Sequence, residues 1–329
     1  MGHIRSILVA VKDPAARTHP GVAKAAQLAQ ALGAELTLFQ AVPSPLALSE
    51  DVNSLSQGLT DLDSCTLDYQ GDLLERIARR LRRRELRVSV SVQWDHPAYA
   101  AIIRAAALAR ADLIVAEAHP RGHHGAALLR LTDWELVRHS PVPVLLVKRP
   151  ELYRSPTVLT ALDPDHTFGK PLRLDAEILA LGSDLTQALH GTLHAVHAYA
   201  PVEPRVVSDG SVSASAIAKI QRENEALAVH KLAAAVGEFD IPKANQHVVG
   251  RHVPDAIAQV ATQSRSALVV MGAVARSGLT HLLIGNTAER LLDLLTCDML
   301  VVKPTPRPQR SERSARFVRP VAVPVVPGA

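Results

Sequence analysis

Cysteine is nearly absent: Cys65 and Cys297 are the only two in 329 residues. They lie far apart and in no CxxC pattern, which argues against a disulfide framework and for a reducing, cytoplasmic setting. Aromatic residues make up 3% of a chain that is 47% apolar. Its cores must therefore be built from Ala, Val, Leu and Ile, a composition that suits parallel sheets covered by helices on both faces. Long apolar runs are missing too. The run near the N-terminus, Ile7–Val11, is too short for a secretory signal, and no stretch approaches the ~20 apolar residues of a membrane helix. A soluble protein with no membrane association is expected.

Excess charge is also missing from most of the chain. The net charge is +4, and the last 25 residues, with five arginines and one glutamate, carry all of it. Residues 1–304 balance at 31 basic and 31 acidic side chains. A nucleic-acid groove in the body is not indicated; the basicity belongs to a Pro- and Arg-rich tail, 305–329, whose composition predicts disorder. The run RRLRRREL (79–86) reads as the solvated end of a helix. No GxxxxGK[ST], HExxH or GxSxG pattern occurs, and no nucleophile–base or paired-carboxylate arrangement stands out. No catalytic residue is assigned.

What is present is a repeat. SILVAVKDP (6–14) returns as TVLTALDPD (157–165), and AELTLFQAVP (34–43) as GTLHAVHAYAP (191–201). SVQWDHPAYAAIIRAA (91–106) returns as HVVGRHVPDAIAQVA (247–261). ADLIVAEA (111–118) and SPVPVLLVK (140–148) return as SALVVMGA (266–273) and TCDMLVVK (296–303), both at an offset of 155. In each copy, aliphatic runs of strand length alternate with longer stretches of helical periodicity, such as HPGVAKAAQLAQAL (19–32). Pro97 and Pro254 stand where a first-turn proline belongs. The pattern predicts an α/β protein of two tandem doubly wound, Rossmann-like domains, each with a five-stranded parallel sheet and four helices. The boundaries are 1–150 and 151–304, joined near KRPELYRSP (148–156). The matching apolar edges PVLLVK (143–148) and DMLVVK (298–303) are expected to pair, making a pseudo-dimer in one chain.

In a sheet of order 3-2-1-4-5, ligands bind at the carboxyl ends of strands 1 and 4, where the connections diverge. In the second copy those ends are Asp163 and Gly272. A polar loop follows Gly272, and a helix opens at Gly285-Asn286-Thr287, offering free N–H groups and a positive dipole end to a phosphate.

The stretch GAVARSGLTHLLIGNTAERLL (272–292), followed by CDMLVVKP, resembles the C-terminal signature of universal stress proteins. VQWDHPAYAAII and TDWELVRHSPVPVLLVK in the first half are similar to the tandem, E-type members of that family. The resemblance covers about 300 residues. It implies an adenine nucleotide alpha hydrolase-like fold, a stress-response role and, in some members, ATP binding with Mg²⁺. The family's frame of Gly, two residues, Gly, nine residues, Gly and a small polar residue falls on Gly272, Ala275, Gly285 and Asn286. The site implied uses Asp163 for base or ribose, the backbone of Gly272 and Ala275 for phosphate approach, Gly285, Asn286 and Thr287 for the phosphates, and Arg276 on the phosphate chain.

Ala275 departs from the frame. Its side chain costs roughly 1–2 kcal/mol if the position needs φ > 0 and is harmless if φ < 0. The first copy departs further: Glu117, Pro120, Arg130 and Leu131 stand where the second has Gly272, Ala275, Gly285 and Asn286, and Lys12 stands in place of Asp163. A nucleotide is therefore expected in the second half alone, with regulatory output and at most slow ATP hydrolysis. Two alternatives stand beside it: a nucleotide-independent scaffold acting through protein contacts, and a binder of another small ligand in a domain crevice. Metal sites are not expected. His119, His123 and His124 read as loop residues, and His190, His194 and His197 run into a strand, where residues three apart face opposite sides.

Overall fold

The computed structural model describes residues 4–42, 56–94, 97–118, 127–165, 174–201, 214–273 and 286–304. The first half runs β1 (Ser6–Ala10), α1 (Pro20–Leu32), β2 (Glu35–Val42), α2 (Ser56–Arg82), β3 (Val88–Trp94), α3 (Ala98–Leu108), β4 (Leu113–Glu117), α4 (Ala127–His139) and β5 (Val144–Val147). The second runs β6 (Thr157–Leu162), α5 (Leu174–Ala188), β7 (Thr192–Tyr199), α6 (Ala214–Ala235), β8 (Gln246–Gly250), α7 (Val253–Gln263), β9 (Leu268–Gly272), α8 (Asn286–Leu294) and β10 (Asp298–Val302). Pro254 lies in the first turn of α7, as expected; Pro97 instead precedes α3 as its N-cap, in an extended conformation. The tail lies outside the described residues.

The two parallel sheets merge into one of ten strands, in the order β3-β2-β1-β4-β5-β10-β9-β6-β7-β8. All pairings are parallel except β5 with β10, which run antiparallel with Leu145 opposite Leu300. These are the two edges whose sequences match. Pairing them removes an exposed strand edge from each half. Strands β4, β5, β9 and β10 are aliphatic and almost wholly buried, as sheets covered on both faces require. One core packs α1, α2, α5 and α6 on one face of the sheet. A second packs α3, α4, α7 and α8 on the other.

Polar groups seal the joint. Asp298, fully buried at the start of β10, accepts hydrogen bonds from Tyr153 Oη (2.6 Å) and from the backbone N–H of Lys148 (2.8 Å) and Arg149 (3.1 Å). It also pairs with Lys24 of α1. Gln27 and Tyr153 exchange two hydrogen bonds, at 2.7 and 2.9 Å, which tie the connector to α1. Burial and the neighbouring Asp298 carboxylate push the Tyr153 phenol well above its ordinary pKa, so it stays a donor.

Candidate functional site

In the second half, β6 lies between β9 and β7, so the chain diverges to opposite sides from β6 and β9. Ala161 stands opposite Met271 in the parallel register, so Asp163 and Gly272 end neighbouring strands at the same edge of the sheet. Asp163 is half-buried, and its backbone N–H donates to Asp175 Oδ1 (3.2 Å) in the first turn of α5. Gly272 is the last residue of β9, and the next residue, Ala273, donates to Val302 O (2.9 Å). Helix α8 begins at Asn286, with Thr287 half-buried in its first turn. Of the predicted site, Ala275, Arg276 and Gly285 lie outside the described residues, as does the side chain of Asn286.

The space above Gly272 is taken. A Cβ there would stand 2.7 Å from Leu174 Cδ2 and 3.1 Å from Ile178 Cδ1, so the missing side chain makes room for α5. The first half solves the same packing problem in reverse. There the strand end carries bulk, in Glu117, and the helix carries the glycine: a Cβ on Gly21 would lie 2.9 Å from Glu117 Cγ. Glu117 Oε1 accepts the N–H of Gly21 (2.8 Å) in the first turn of α1. A carboxylate thus occupies the positive end of that helix, a place where an anionic ligand would otherwise be stabilised. Lys12 completes the first crevice. Burial lowers its pKa, and the carboxylates of Asp133 and Glu117 oppose that shift.

A cluster not foreseen from the sequence lies at the carboxyl ends of β6 and β7. His197, 1% exposed, stands opposite Leu162 in the register, and its Nε2 lies 3.5 Å from Asp165 Oδ2. Asp165 is ion-paired in turn with Lys231 of α6. These residues come from three elements, and no spacing rule joins them. His194 points the other way: its Nδ1 meets Nε2 of His247 on β8 at 3.0 Å. The His119, His123 and His124 cluster lies outside the described residues. A groove of about 540 Å³, lined by Ser6, Glu35, Thr37, Arg87 and Ser89, sits at the amino ends of β1, β2 and β3, away from both crevices.

The strand order and the divergence at β6 and β9 define a doubly wound α/β protein, a class in which ligands bind at the carboxyl ends of the strands where the connections diverge. The chain belongs to the universal stress protein family, whose model matches residues 3–148 and 174–303. It is similar to universal stress protein E of Salmonella typhi, at 29% identity over 321 residues, covering 92% of this chain and 96% of the relative. The corresponding protein of Escherichia coli K12 is 28% identical, with 92% and 95% covered. Among solved structures, a functionally unknown protein from Pseudomonas aeruginosa PAO1 superposes with a TM-score of 0.67 at 26% identity, covering 92% of this chain and 93% of its own. Among the described residues, no helix is long and apolar enough to cross a membrane.

Proposed function

We propose that this universal stress protein binds ATP or a related adenine nucleotide in its second half, in the cytoplasm, and that binding alters its association with protein partners. The observation that carries the reading is the contrast between the halves. Asp163 and Gly272 end neighbouring strands at one edge of the sheet and α8 opens after β9, whereas in the first half Glu117 stands at the end of β4 and caps α1. Asp163 would accept from the base amine or a ribose hydroxyl. The backbone of Gly272 and Ala275 would border the phosphates, the start of α8 at Gly285, Asn286 and Thr287 would donate to them, and Arg276 would neutralise them. Among the described residues, no group of three His, Cys, Asp or Glu side chains is arranged to hold a metal. Mg²⁺ would arrive on the nucleotide, bound mainly by phosphate oxygens, as it commonly does at phosphate sites. The output would be regulatory, with at most slow ATP hydrolysis.

Titration calorimetry of the full chain with Mg-ATP tests the reading. A micromolar to sub-millimolar Kd is expected, weakened by Asp163→Asn. Absence of both heat and thermal shift at millimolar ATP overturns it. Ala275→Gly then reports whether the filled glycine position is responsible.

A second reading has an observation of its own. Gly272 is accounted for by the packing of Leu174 and Ile178, without any ligand. On that reading the protein is a nucleotide-independent stress scaffold that acts through protein contacts. The calorimetry distinguishes the two.

A further inference from the structure

The lysines that follow the two joined edge strands reach into opposite halves. Lys148, after β5, carries its ammonium across the joint to α8 and donates to Leu292 O (2.5 Å) and Leu295 O (2.8 Å). Lys303, after β10, makes the reciprocal reach and donates to Arg138 O (3.2 Å) in the last turn of α4. Each supplies hydrogen bonds to carbonyls that a helix C-terminus leaves without intrahelical partners, and each sets a positive charge at the negative end of the dipole. The base of Lys148 is itself fixed, because its N–H and that of Arg149 donate to Asp298, and Arg149 Nε donates to Thr296 O (2.9 Å).

Helix α8 therefore has its two ends in different hands. It is nine residues long, or about 13 Å. It follows β9, whose end borders the candidate nucleotide crevice, and its last carbonyls are held by the first half. Between them, Ala288 and Leu291 are buried and Arg290 donates to Asp255 of α7 (3.1 Å). Apolar burial holds the helix against the sheet but is non-directional, whereas hydrogen bonds to the terminal carbonyls fix position along the axis. That axial position sets where the N–H groups of the first turn stand.

We propose that Lys148 is a positioning residue for the nucleotide site of the second half, acting through α8. The half that has filled its own crevice thereby fixes the helix that would meet the phosphates in the other. The inference rests on the nucleotide reading above. The symmetry of the chain supplies a control, since Lys303 does the same for α4, in the half whose crevice holds Glu117.

The test uses the full chain, with Mg-ATP calorimetry, urea unfolding and hydrogen exchange across α8. Lys148→Met is expected to weaken ATP binding roughly 3- to 30-fold and to speed exchange in α8. Lys148→Arg, which keeps donors for the same carbonyls, restores most of the affinity. Lys303→Met is expected to lower the unfolding midpoint and to speed exchange in α4 rather than in α8. Unchanged affinity in Lys148→Met despite lowered stability overturns the proposal, as does unchanged exchange in α8. If the unsubstituted chain binds no ATP, the nucleotide reading fails and the site role of Lys148 fails with it. Exchange in α8 then separately decides whether Lys148 holds the helix.

Discussion

Lys24 of the first half and Asp298 of the second form an ion pair across the joint with side-chain exposures of 2% and 0%. The ammonium also lies 4.6 Å from the centre of the Tyr153 ring, over its face. Removing one member leaves a buried charge without its counterion, which typically costs about 3–5 kcal/mol. Asp298→Ala should lower unfolding stability by that order in urea titrations. The double variant Lys24→Met/Asp298→Leu should lose less than Asp298→Ala alone, because no isolated charge remains. If the double variant loses as much as Lys24→Met and Asp298→Leu lose singly when summed, the pair is not coupled.

Gly272→Ala places a methyl group against Leu174 and Ile178, with contacts of 2.7 and 3.1 Å before relaxation. Overpacking of this kind costs about 1–3 kcal/mol. Thermal unfolding should show the loss, and Gly272→Ala should cost less in a Leu174→Ala background, where the methyl group has room. A neutral Gly272→Ala would mean that α5 yields freely at this point.

Glu117→Gln keeps an oxygen near the N–H of Gly21 but removes the charge at the start of α1. The loss of dipole stabilisation and of a charge-assisted hydrogen bond should lower stability by about 1–2 kcal/mol. Lys12 would then face Asp133 with one carboxylate fewer, so added millimolar phosphate should raise the melting temperature of the variant more than that of the unsubstituted chain. Equal shifts in both would show that the first crevice does not admit an anion.

His194 and His247 set an acid limit on the second half. Their ring centres are 5.2 Å apart while the facing nitrogens are 3.0 Å apart, so the rings meet end to end through one N–H···N hydrogen bond. Burial lowers both pKa values, and His247 lowers that of His194 further. The unfolded chain therefore takes up protons first as pH falls through about 6.5, and stability declines below that pH; above it both rings are neutral in either state and the effect vanishes. The urea midpoint should fall between pH 7.5 and pH 5.5. The double variant His194→Phe/His247→Phe should fall less steeply, and an unchanged slope would remove the pair from the account.

The architecture was legible because aliphatic runs, helical periodicity and a repeat of fixed offset all agree. The pairing of 143–148 with 298–303 could be read from two matching apolar edges. Lys24 was not singled out, although it sits with Gly21, Ala25 and Leu28 on the buried stripe of α1. A lysine on such a stripe signals a buried counterion, but that partner lies 274 residues away. Glu117 was legible as a charge hostile to phosphate; that it caps α1 depends on how closely α1 passes the end of β4, which spacing does not encode. Gly272 reads in the sequence as a place of close backbone approach; that Leu174 and Ile178 of α5 fill the space above it depends on which helix crosses β9, which spacing does not encode. The Asp165, His197 and Lys231 cluster was missed for the same reason: tertiary packing, not local pattern, brings the three together.

The antiparallel joint has a geometric consequence. The strands of the two halves point in opposite directions, so the two crevices open at opposite poles of one continuous sheet. A ligand at one pole is out of reach of the loops at the other, and any influence between them must travel along the length of strands and helices. Helix α8 is one such strut: it starts at the pole of its own crevice and ends at the opposite pole, in the grasp of Lys148.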